Sequence, residues 1–197
     1  VGTEFGMYFQ MGWQHIIAWD GYDHILFIMA LSAIYMLQDW RKVLVLVTAF
    51  TIGHAITLAL SLANIVYVRS SLIELLIPIT IWVTALFNMF KKELTPQKVQ
   101  LNYVFALFFG LIHGMAFSVY LKSITGTQEN ILEPLLAFNL GLEVGQMLVV
   151  AGVLLLAGII VNVTGVKRRN WNIYLSAAIF GVAVLITIER CKEFITK

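Results

Sequence analysis

Four histidines and a few carboxylates sit inside or beside segments that are otherwise apolar, and imidazole with carboxylate is a donor set suited to divalent first-row metals such as nickel, cobalt, zinc or iron. His15, Asp20, Asp23 and His24 crowd the start of the first long apolar run, and Asp23-His24 leads directly into Ile25-Leu26-Phe27-Ile28. Further along, His54, His113 and Glu143 each stand within a hydrophobic stretch. Asn139 and Glu143 are four apart and Glu143 and Gln146 three apart, which places all three on one helix face. The single cysteine, Cys191, rules out an intramolecular disulfide and any Cys-rich metal centre, so an ion would be held by nitrogen and oxygen.

The elements that must carry these residues are membrane helices. The chain is 60% hydrophobic and 12% charged over 197 residues, which would leave a water-soluble globule with more apolar surface than it could bury. A crossing needs roughly 20 apolar residues, so the length accommodates about six spans with short loops and no separate soluble domain. The expected fold is therefore all-α: a polytopic bundle of about six transmembrane helices, preceded by an interfacial helix over Met7–Trp19 whose Trp13 and Trp19 suit the headgroup level. Val1-Gly2-Thr3-Glu4-Phe5 reads as a cloning scar, so residues 1–6 are set apart from a single membrane domain over 7–197.

The spans are expected near Tyr22–Leu37, Val43–Val66, Leu72–Phe90, Leu101–Leu121, Glu133–Val163 and Trp171–Ile188, with a turn over Gly126–Asn130. Counting Lys and Arg on alternate sides gives eight against five, which puts both termini outside. The formal net charge of +2 is too small to suggest a nucleic-acid partner. The expected surroundings are a lipid bilayer, in a bacterial inner membrane, and self-association is left open.

Depth follows from the helical rise. His54 lies 11 residues after Val43, His113 12 after Leu101 and Glu143 10 after Glu133, so each sits roughly 15 to 18 Å from its helix start, near the midplane. Ionisable groups there cost about 2.5 to 3.5 kcal/mol even on lenient scales, so they are expected to face one another inside the bundle. Gly141 and Gly145 would let another helix approach closely and bring His54 or His113 to Glu143. Thr80, Thr84 and Asn88 read as interhelical hydrogen-bonders.

Four patterns resemble the HupE/UreJ family of membrane proteins: His15 through Gly21-Tyr22-Asp23-His24-Ile25-Leu26-Phe27, the Thr48–Leu58 run around Gly53-His54, Phe109–Phe117 around His113-Gly114, and Phe138 through Gln146. Members are associated with nickel enzymes and regarded as metal permeases. The His-plus-Asp-His pattern is also similar to the signature of nickel/cobalt transporters, although the seven residues between His15 and Asp23 exceed the usual spacing there. The resemblance implies a metal path through Asp23, His24, His54, His113 and Glu143, supported by His15, Asp20, Asn139 and Gln146, with nickel the first-choice ion and zinc, cobalt or iron as others.

Two further readings belong to other classes. Three histidines holding zinc beside a carboxylate that activates water would make an intramembrane hydrolase. A membrane assembly factor would use the same polar residues only to hold its helices together.

Overall fold

A computed structural model describes residues 4–18, 21–91, 96–125 and 131–196; Asp20, Trp19 and the turn expected over 126–130 lie outside them. Seven α-helices and no strand occur among the described residues: α1 (Glu4–Ile17), α2 (Tyr22–Ser32), α3 (Trp40–Leu62), α4 (Ser70–Phe90), α5 (Pro96–Thr125), α6 (Leu132–Thr164) and α7 (Arg168–Thr196), with a short 3-10 turn over Leu37–Asp39 before α3. Five of them, α3 to α7, are long and apolar enough to cross a membrane. With no water in hydrocarbon to satisfy backbone amides, a helical bundle of this kind answers the hydropathy of the sequence.

The sixth expected span takes a different form. α2 stops at Ser32, 11 residues after it starts, which is too short to cross alone. α1, expected at the interface, packs lengthwise on α6 and buries Tyr8, Gly12 and Ile16. Phe9 meets Gly141 and Ile16 meets Gly145, so the two helices run in the same direction, and Leu37 reaches Gly158 further down α6. α1 and α2 thus follow one another along α6. Their 14 and 11 residues amount to roughly 37 Å of helix, more than the about 30 Å hydrocarbon thickness.

Glycine decides which helices meet closely. A Cβ on Gly12 would run into the Phe138 carbonyl, and one on Gly141 into that of Phe9. On the opposite side, α3 and α5 lie parallel with Gly53 against Leu107 and Gly110 against Phe50, again at backbone contact. α4 and α7 run antiparallel, tied by Asn172 Nδ2 donating to the Asn88 carbonyl at 2.7 Å near one end and by Arg190 approaching Glu74 at 3.4 Å near the other.

The end carrying Asn88 also collects much of the charge expected to mark one side. The Arg168 guanidinium donates to Asp39 at 2.6 Å and to the Ile34 carbonyl at 3.1 Å, Lys42 meets Asp39 at 2.8 Å, and Lys91 donates to Asn102 at 2.6 Å. Asn88 reaches α2 through its Nδ2, which donates to the Ala30 carbonyl at 2.6 Å.

Candidate metal centre

The break between α1 and α2 sits beside the largest concentration of imidazole. The amide of Ala18 still bonds back to Gln14, and that of Gly21 bonds to Ala18 at 3.0 Å, so the chain turns tightly out of α1. Gly21 passes so close to the carbonyl of His15 that any Cβ there would collide with it. That turn brings His15, near the end of α1, onto His24, in the first turn of α2, with ring centroids 4.5 Å apart.

His54 joins them from α3. One ligating atom from each of His15, His24 and His54 lies within 4.8 Å of the others. Four ligands held tetrahedrally at the usual metal–nitrogen distance are about 3.3 Å apart, so a modest closing of the rings would complete a three-nitrogen face. His113, from α5, stands next to this group, its ring 5.2 Å from that of His24.

Burial makes the arrangement costly unless something uses it. His24, His54 and His113 are 3%, 0% and 0% exposed. Nε2 of His15, Nε2 of His24, both ring nitrogens of His54 and Nδ1 of His113 are buried with no hydrogen-bond partner. Buried polar atoms are normally satisfied, so imidazole nitrogens left unpartnered together in one cluster call for an explanation.

Asp23 orients the first of these rings. Its Oδ1 accepts from the His24 backbone amide at 2.8 Å and lies 2.9 Å from His24 Nδ1. A carboxylate only accepts, so Nδ1 carries the proton and Nε2 is left with its lone pair free. Carboxylate–histidine pairs of this kind fix the tautomer and raise the basicity of a metal ligand. The N-cap of α2 is Gly21, and Asp23, within the first turn, takes the amide of His24 that the helix itself leaves unpaired.

Phenylalanines wall the cluster. Phe117 lies 4.2 Å from His15 and stacks on Phe138, which lies 6.1 Å from His54; Phe27 and Phe50 pack at 4.9 and 5.2 Å from His113. A cavity of about 470 Å³ is lined by Gln14, His15, Asp23, His24 and Phe117 with their neighbours; His54 is not among its lining residues.

Of the α6 residues, Glu143 and Gln146 pair with α3 threonines, while Asn139 lies against His54. Glu143 accepts from Thr48 Oγ1 at 2.7 Å, and Gln146 Oε1 accepts from Thr51 Oγ1 at 2.9 Å. Asn139 lies beside the His54 ring and donates its own amide to the Leu135 carbonyl at 2.7 Å. The helix that comes close to Gly141 and Gly145 is α1, and it delivers His15 rather than bringing His54 to Glu143. Thr48 and Thr51 were not singled out by the sequence, where nothing distinguishes them from other threonines in an apolar run.

Residues 1–190 match the family described as HupE / UreJ protein. The chain belongs to the HupE/UreJ family. No curated protein and no solved structure matches it. The family therefore covers both halves of the histidine cluster, from α1 to α5, and the α6 segment around Glu143.

Proposed function

We propose that this HupE/UreJ protein is a permease for a divalent transition-metal ion, with nickel the favoured substrate. The family's association with nickel and cobalt transport supports the substrate class. The observation that carries the reading is the convergence of His15, His24 and His54, whose ligating atoms lie within 4.8 Å of one another, with His15 and His24 lining a cavity. An ion shedding water in the cavity meets His15 and His24 first, since both line it, and His54 behind them.

His113 is the next station, and Asn139, Glu143 and Gln146 support the path from α6. Three imidazoles and one nearby carboxylate bind an ion without enclosing it, and conduction requires binding weak enough to release. The Lys- and Arg-rich end of the bundle is assigned to the cytoplasm of a bacterial inner membrane, which directs the ion from α1 toward that end.

The hydrolase reading finds less support. It needs a carboxylate free to activate water beside three histidines, whereas Asp23 is committed to His24 and Glu143 to Thr48.

The test is nickel uptake into vesicles containing the purified protein. Uptake by the wild type that falls to the empty-vesicle rate in His24→Ala and His54→Ala, with both variants folded, supports the permease. Wild-type vesicles no faster than empty ones would end it.

A further inference from the structure

Thr80, on α4, touches His113, and its hydroxyl makes two contacts: 2.7 Å to the Ile77 carbonyl and 3.1 Å to His113 Nε2. A hydroxyl has one proton. A carbonyl can only accept, so that proton goes to Ile77, and the contact with the ring has the threonine oxygen as acceptor. His113 must then donate from Nε2, which leaves Nδ1 unprotonated. Nδ1 is buried without a partner. The opposite tautomer would bury an N–H on Nδ1 with nothing to receive it and leave Nε2 facing a hydroxyl whose proton is already engaged.

We propose that Thr80 is a positioning residue that locks His113 in the Nε2-protonated tautomer and so keeps the Nδ1 lone pair ready to take the ion from the three-histidine group. The inference rests on the permease reading for its consequence, but the tautomer itself does not. His24 and His113 are then set by the same device: an acceptor, Asp23 for one and Thr80 for the other, holds the proton so that the second ring nitrogen is free.

The experiment compares wild type, Thr80→Val and Thr80→Ser. With ¹⁵N-histidine in detergent and no metal added, NMR reads the tautomer of His113, assigned by the signal missing in His113→Gln. Wild type and Thr80→Ser should show Nε2–H, while Thr80→Val should show a mixture or the Nδ1–H form. Nickel uptake should fall about tenfold in Thr80→Val and stay within about twofold of wild type in Thr80→Ser, with the amount of nickel bound at equilibrium retained in both.

A His113 that keeps its Nε2–H tautomer in Thr80→Val overturns the inference, whatever transport does. A tautomer that changes while uptake does not would remove the role in transfer. Absence of uptake in the wild type would fail the permease reading and leave the NMR comparison to decide the tautomer.

Discussion

Asp23 and His24 are neighbours in sequence whose side chains are bonded at 2.9 Å, and the same carboxylate oxygen takes the His24 backbone amide at 2.8 Å. Adjacent residues on a helix normally point apart. They meet here because α2 begins at this point, so the Asp23 side chain can fold over the first free amides of the helix while gripping the ring behind it. The proton of His24 is thereby placed on Nδ1, and Nε2, buried without a partner, is the nitrogen left for an ion.

Asp23→Asn is expected to lower nickel affinity about 10- to 100-fold, the usual effect of losing a carboxylate behind a metal-binding histidine. The amide can still accept from Nδ1, but it supplies no negative charge, and its orientation is not forced. Titration calorimetry on detergent-purified protein gives the affinity. An unchanged dissociation constant would show that Asp23 serves only the helix start.

Nickel binding should distinguish the histidines from Glu143. His15→Ala, His24→Ala and His54→Ala each remove one of three converging nitrogens and should each abolish tight binding. Glu143→Gln keeps an acceptor for Thr48 and should bind nickel within about twofold of wild type, since the carboxylate is outside the three-histidine group. Equilibrium dialysis with metal analysis measures both. Loss of binding in Glu143→Gln would place that carboxylate in the coordination sphere.

The contrast between His15 and Glu143 shows how far the sequence could be read. Apolar run lengths, a local quantity, located α3 to α7, but they also led to a sixth full span where the chain instead forms the 11-residue α2. Helical rise yields only an expected depth for His54 and His113. Depth does not give azimuth: Glu143 can share a level with His54 and still turn toward Thr48. His15 stands in a mixed segment of 13 residues that reads from sequence as an interfacial helix. Its placement depends on two facts that reside in other elements, the glycines of α6 that admit α1 and the tight turn at Gly21 that swings α2 back over it. Gly12, a small residue within the mixed segment that lies against the Phe138 and Leu142 backbone, was the signal in the sequence that could have put α1 inside the bundle.

Gly12→Leu tests that packing. A side chain at Gly12 has the backbone of Phe138 and Leu142 where its Cβ must go, so α1 has to move off α6. Overpacking of this kind costs about 1 to 3 kcal/mol, and the shift carries His15 away from His24 and His54. Stability against denaturing detergent and nickel affinity should fall together. Gly152→Leu, where nothing lies within 4 Å, should change neither. Equal effects from the two substitutions would mean that close contact between α1 and α6 is not what holds His15.

Arg168 closes the other end of α2. It donates to the Ile34 carbonyl just beyond α2 and to Asp39, whose side chain is 11% exposed while that of Arg168 is 41% exposed. Solvent screening at the arginine keeps the ion pair modest, so Arg168→Ala should cost about 1 kcal/mol in unfolding by denaturing detergent. The consequence for the site is mechanical. α2 is anchored at its far end by Arg168 and by Asn88 on Ala30, and at its near end by the contacts of His24. Removing one far anchor should raise amide exchange over Ala30–Asp39 while leaving nickel affinity within about twofold, because Asn88 and the Asp23–His24 pair remain. Arg168→Lys, which keeps a donor and a charge, should restore most of the protection. Exchange measured by mass spectrometry decides the matter: unchanged exchange in Arg168→Ala would show that the end of α2 is held by its packing alone.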